Sequence, residues 1–152
     1  MNRKLKLRSP ESARHLEDAG ELFILLDTPA EAFYTSEWIQ EHFPIASWGR
    51  IDWDKVPNCL CKSWQEDDDL LIHFQDIVKV KKIKGYVTVT WFDASKMSIY
   101  LDIKVIFNYA EIIFQECWDT WIFSDRENWC LEVYHEGEIC FGYSALTNDR
   151  RN

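Results

Sequence analysis

Residues 86–103 read YVTVTWFDASKMSIYLDI. Tyr86 to Phe92 is rich in β-branched and aromatic residues, which suit a pleated, partly buried surface. Asp93-Ala94-Ser95-Lys96 supplies a turn, and Met97, Ile99, Leu101 and Ile103 then alternate with Ser98, Tyr100 and Asp102. This pattern predicts a β-hairpin. Directly after it, Lys104, Asn108, Glu111 and Gln115 are spaced four, three and four residues apart, forming one polar stripe. Ile103, Phe107, Ala110, Phe114 and Cys117 form an apolar stripe on another face. That spacing predicts a largely buried helix. Two more strands are expected beyond a Trp121-Ile122-Phe123 run and a polar turn from Ser124 to Asn128. In the first, Trp129, Leu131, Val133 and His135 share one face, with Cys130, Glu132 and Tyr134 on the other; Glu136-Gly137 turns the chain, and Ile139, Phe141 and Tyr143 return. Together these elements predict an α+β domain with a mostly antiparallel sheet and helices packed on one face.

The first half is less regular. Ser9-Pro10-Glu11 has the form of a helix start, with Ser as N-cap and Pro at the first helical position. That helix is expected to reach Ala19 and to stop at Gly20. Glu21 to Leu26 is a short apolar run and reads as a buried strand. Asp27-Thr28-Pro29-Ala30 is turn or cap chemistry, and a second helix carrying Trp38, Ile39 and Phe43 is expected to start near Ser36. Pro44 to Ser63, with Pro44, Gly49, Pro57 and Asn58, reads as a structured loop. Leu70 to Lys84 is ambiguous: Leu70, Phe74 and Ile77 fit a helix, whereas Val78 and Val80 alternating with Lys79 and Lys81 favour a strand for the second part. No internal repeat interrupts the chain, and a single domain over 1–152 is expected, with flexible ends at 1–8 and 147–152.

Composition narrows the function classes. A chain of 152 residues fits one domain and buries about 68–70% of its unfolded surface. With 47% hydrophobic residues and 8 Trp, it does not have the composition of a disordered tail. No apolar run approaches the roughly 18 residues that span a bilayer. The basic start, Met1 to Arg8, is not followed by a signal-peptide core. A cytosolic protein with reduced cysteines is therefore expected. Lys plus Arg is 17 and Asp plus Glu is 26, for a net charge of −9. Binding to a phosphate backbone needs clustered Lys and Arg, so nucleic acid is a poor partner; a basic protein surface is a better one. The charge is uneven: residues 21–69 carry three basic and eleven acidic side chains, ending in Glu66-Asp67-Asp68-Asp69, while Lys79, Lys81, Lys82 and Lys84 cluster further on. Charge runs commonly serve solubility. Trp48, Trp53 and Trp64 close to the acidic run favour an interaction surface instead.

Motifs for catalysis and metal binding are missing. Cys59-Leu60-Cys61 has one residue between the sulfurs, where zinc sites use two to four and supply the pair twice. Cys117, Cys130 and Cys140 sit in apolar patterns and read as small core residues. His15, His42, His73 and His135 lie in no metal-helix pattern. Asp67, Asp68 and Asp69 do not fit the twelve-residue calcium loop. There is no GxxxxGK[ST] or GxGxxG, and 5 Gly leave few positions for a phosphate cradle. No metal, cofactor or catalytic residue is assigned. Trp91, Trp121 and Trp129 fall in strand patterns and read as core, whereas Trp48, Trp53 and Trp64 either pack the loop or face a partner.

A small, acidic, Trp-rich α+β chain of this kind resembles the immunity proteins of bacterial polymorphic toxin systems, including contact-dependent growth inhibition. The resemblance is one of general character over the whole chain. It rests on the Glu66–Asp69 run, on Trp48, Trp53 and Trp64, and on the sheet pattern from Trp129 to Tyr143. It implies a cytosolic, non-catalytic protein that binds one cognate toxin domain, commonly a basic nuclease. The contact surface is then expected at Asp52, Trp53, Asp54, Trp64, Glu66, Asp67, Asp68 and Asp69. Two alternatives belong to other classes: a small cytosolic hydrolase with a carboxylate or Cys-His site, and an adaptor subunit binding through a sheet edge.

Overall fold

In the computed structural model, described over residues 6–144, four helices and seven strands follow one another along the chain. They are α1 (Glu11–Asp18), β1 (Ile24–Leu26), α2 (Pro29–His42), β2 (Leu60–Ser63), α3 (Asp67–Val80), β3 (Tyr86–Trp91), β4 (Ser98–Asp102), α4 (Ile103–Phe114), β5 (Thr120–Ser124), β6 (Trp129–Tyr134) and β7 (Glu138–Tyr143). The strands form one sheet in the order β1-β4-β3-β5-β6-β7-β2, and every neighbouring pair is antiparallel. The chain is thus a single α+β domain, as the hairpin and the C-terminal strands predict. Among the described residues, no helix is long and apolar enough to cross a membrane.

The sheet is buried on both sides. Val87, Val89, Ile99, Leu101, Ile122, Leu131 and Phe141 point to one face, where α1, α3 and α4 cover them with Leu16, Phe74, Ile77, Ile106 and Ile113. Trp121, Phe123, Cys130 and Cys140 point to the other, under α2 and the segment that follows it, where Trp38, Ile39, Phe43, Ile51, Trp53 and Val56 pack. The expectation of helices on one face holds for α1, α3 and α4 and fails for α2. Its cause is visible in the strands: β5 and β6 carry large apolar side chains on both faces and are buried at nearly every position, so both faces need a cover.

Local departures from the sequence reading have physical causes. Helix α2 starts at Pro29, not near Ser36, because Thr28 and Glu31 form a capping box: the Glu31 N–H donates to Thr28 Oγ1 at 3.2 Å and the Thr28 N–H to Glu31 Oε1 at 3.3 Å. Helix α3 continues through Val78 and Val80, where a strand was favoured. Leu70, Phe74 and Ile77 bury one helical stripe, and the Val-Lys alternation falls on its exposed last turn. Strand β1 is shorter than Glu21 to Leu26 and is not buried; it is an edge strand, and Leu22 and Ile24 face solvent. The 44–63 loop contains a 3₁₀ turn at Trp53–Lys55 and then β2. Pro10 rather than Ser9 occupies the N-cap of α1. Arg8, assigned to a flexible end, is pinned: its N–H donates to Ser95 O at 2.7 Å and its guanidinium pairs with Asp93 at 2.8 Å. Residues 1–5 and the expected tail at 147–152 lie outside the described residues.

The expectation of fully reduced cysteines fails at one pair. Cys61 on β2 and Cys140 on β7 are direct register partners and form a disulfide across 79 residues of sequence. Only strand pairing brings them together, so their sequence spacing carried no cue.

Candidate functional site

One buried carboxylate organises the α2 side of the sheet. Glu132 on β6 is fully buried and accepts four donors. Arg50 Nε–H donates to Oε1 at 2.8 Å and the Ile51 N–H to Oε2 at 2.9 Å. The indole N–H groups of Trp53 and Trp121 donate at 3.0 and 2.8 Å. Arg50 also reaches Glu138 at 2.7 Å and stacks 4.0 Å from the Tyr134 ring. Burial opposes the Arg50 charge, but Glu132 and Glu138 outweigh it and hold the guanidinium above its ordinary pKa. The segment after α2 is thus fastened to the sheet through polar bonds that burial strengthens.

That fastening places Trp48 beside one end of the sheet. Trp91 pairs with Thr120, Thr120 with Val133, and Glu138 with both Tyr134 and Ser63, so the chain ends following or preceding these residues form a common rim. The rim carries Phe92, Trp118, Asp119, His135 and Trp64. Trp118 is 75% exposed, Trp48 68% and Phe92 55%. Gly49 abuts Phe92 so closely that an added Cβ would lie 3.1 Å from the ring. Asp119 Oδ1 accepts from the backbone N–H of His135 at 2.9 Å and from its Nδ1–H at 2.8 Å, which orients the ring beside Trp118, 4.8 Å between centroids. Gly137, at φ 102°, lets the β6–β7 turn approach Trp64: its carbonyl accepts the Trp64 N–H at 2.8 Å, and a Cβ there would sit 2.5 Å from Trp64 O.

Acidic groups continue the rim. Glu66 is the N-cap of α3 and Asp67, Asp68 and Asp69 fill its first turn, all exposed, where the helix dipole favours carboxylates. None of the four has a salt-bridge partner among the described residues. Between this turn, the end of α4 and the end of β6 lies an open cleft of about 200 Å³, bordered by Trp64, Asp67, Glu111, Trp118 and His135.

The eight residues expected at a contact surface fall into two groups. Asp52, Trp53 and Asp54 lie on the α2 side of the sheet. Trp53 is 6% exposed, packs in the core and donates to Glu132; Asp52 is half-buried and pairs with Lys55 at 3.7 Å, and Asp54 is exposed. Trp64, Glu66, Asp67, Asp68 and Asp69 lie at the rim and lead into α3, on the opposite face. The sheet separates the groups. Trp118, Phe92, Glu111 and His135 escaped the sequence reading, because adjacency at a sheet end depends on strand order. Trp48, outside the eight expected residues, stands exposed beside the rim. Trp91, Trp121 and Trp129 are buried, as their strand patterns predict.

The residues that suggested enzymatic chemistry are otherwise engaged. Burial pushes the Cys130 thiol well above its ordinary pKa, and the charge of Glu132 adds to this, so it is no nucleophile. Cys117 lines the cleft, but its thiol points to Phe92 O at 3.8 Å, while His135 Nδ1 is committed to Asp119. Cys61, Glu138 and Cys140 bring donor atoms within 4.8 Å of one another, yet the sulfurs are bonded together and Glu138 is bonded to Arg50.

The exposed feature of this sheet end is its aromatic and acidic rim. Over residues 17–142 the chain matches the family described as CdiI immunity protein EcoliA0-like, and it belongs to that family. It is therefore a toxin-neutralising immunity protein of contact-dependent growth inhibition, acts by binding a cognate toxin and is not an enzyme. No curated protein matches the chain.

Proposed function

We propose that the chain neutralises a basic toxin domain, a nuclease, in the cytoplasm, and that it does so through the rim rather than through the α2 side. The observation behind this reading is the meeting at one sheet end of four carboxylates without ion-pair partners among the described residues, Glu66 to Asp69, with the exposed rings of Trp48, Phe92 and Trp118. Nuclease clefts hold phosphate with Lys and Arg, and a surface of carboxylates competes for the same cations. Opposite potentials accelerate encounter, and exposed Trp side chains supply the apolar anchors that dominate interface energy. Trp64 and Glu66 to Asp69 stay in the proposed surface; Asp52, Trp53 and Asp54 leave it.

The test is stopped-flow association with the cognate toxin domain. Reversing the run (Asp67→Lys, Asp68→Lys, Asp69→Lys) should slow association about tenfold or more at low salt and flatten its salt dependence. Circular dichroism checks that α3 remains folded. An unchanged, salt-insensitive on-rate would remove the acidic run from the surface.

A further inference from the structure

The cleft beside the acidic run has a composition that selects its occupant. Its buried part is apolar, formed by Leu70, Phe114 and Val133. Two indoles, Trp64 and Trp118, border it, and two exposed carboxylates, Asp67 and Glu111, stand at its opening. Among the described residues, no Lys or Arg lines it and neither carboxylate has a salt-bridge partner.

Long basic side chains fit each of these features. They bury an aliphatic stem against apolar surface and keep the charged head outside. A guanidinium or ammonium is attracted to an indole face and pairs with carboxylates. An aliphatic side chain would leave Asp67 and Glu111 unanswered, and an acidic one would be repelled by them.

We infer that the cleft is the socket for one Lys or Arg side chain of the toxin, its stem on Leu70, Phe114 and Val133, its cation between Asp67 and Glu111 and against Trp118. The socket rests on the rim reading above. It adds a division of labour: Asp68 and Asp69 act on encounter, whereas Asp67 and Glu111 hold the seated side chain.

A double-mutant cycle tests this. The variant Asp67→Asn with Glu111→Gln is combined with single Met substitutions of every Lys and Arg in the cognate toxin domain, and the kinetics of each pair are measured. The socket predicts that the immunity variant dissociates at least tenfold faster with little change in association. It also predicts that one basic toxin residue accounts for that loss, with a coupling of tenfold or more in Kd; whether that residue is Lys or Arg names the occupant. If no basic residue couples, the socket is overturned. A parallel variant, Asp68→Lys with Asp69→Lys, separates the two levels. Slowed association in it, together with no coupling at the cleft, overturns the socket alone. Unchanged binding in both variants overturns the rim reading as well.

Discussion

Removing the Glu132 carboxylate should cost more stability than any other single polar change in this fold. Glu132→Ala takes one acceptor group from four donors at once: the Arg50 guanidinium, the Ile51 N–H and the indole N–H groups of Trp53 and Trp121. Three are neutral donors, each costing about 1–3 kcal/mol when buried without a partner. The fourth is a charge that keeps only Glu138, 2.7 Å away, as its counter-ion. These costs do not add, because the four share one site and relax together. Breaking a buried charge pair from one side costs about 3–5 kcal/mol, and that is the expected loss. For a domain of this length it corresponds to a drop in Tm of roughly 6–20 °C, taking about 2–4 °C per kcal/mol. Glu132→Gln preserves size and one carbonyl oxygen but turns an amide N–H₂ toward donors, so it should fall between wild type and Glu132→Ala. Urea unfolding followed by circular dichroism gives the magnitude. A loss below about 1 kcal/mol for Glu132→Ala would refute the view that this carboxylate fastens the segment to the sheet.

Two further predictions concern other parts of the fold. The Cys61–Cys140 bridge closes a loop of 79 residues, for which the chain-entropy model gives about 4.5 kcal/mol and measured cases typically 2–4 kcal/mol. Urea unfolding with and without a reducing agent should differ by about that typical range, and superimposable curves would show that the bridge does not contribute. Glu116 is nearly inaccessible; burial raises its pKa, but the Lys96 ammonium at 2.6 Å and the Ser12 N–H at 2.7 Å prevail and hold it below the ordinary carboxylate range. A lowered folded pKa contributes stability above the unfolded value of about 4.3, which is lost as pH falls through the folded pKa. Glu116→Gln should therefore be less stable than wild type at pH 7 and converge with it in acid. Parallel stability profiles from pH 7 to pH 2 would contradict this.

The parts of the fold legible in the sequence were those whose pattern and environment agree. The hairpin around Asp93–Lys96, helix α4 and strands β6 and β7 each carry one period and are bounded by turn residues. Helix α3 misled because four residues of Val-Lys alternation at its exposed end mimic a strand, and local period cannot separate a helix end from a strand start. The early start of α2 lies in Thr28, Pro29 and Glu31: the cap chemistry at Thr28-Pro29 is legible, but its completion by Glu31 sets where the helix begins. The resemblance to contact-dependent growth inhibition immunity proteins rests on the Glu66–Asp69 run, the tryptophans and the C-terminal sheet pattern, and the family match over residues 17–142 bears it out. The site was only half legible. Glu66 to Asp69 and Trp64 are sequence neighbours and remain neighbours at the rim. Trp53 is buried and Trp118 exposed because exposure follows from which strands lie side by side. Trp53 meets Glu132, 79 residues away, whereas Trp118 reaches the surface at a strand entrance.

Hydrogen–deuterium exchange of the protein alone and in complex with its cognate toxin domain tests most directly which surface the toxin meets. New protection is expected at Trp64 to Leu71, around Phe92, and at Trp118, Asp119 and His135, with the 3₁₀ turn at Trp53–Lys55 unchanged. Protection confined to α2 and to Asp52 through Asp54, with the rim exchanging as in the free protein, would contradict it.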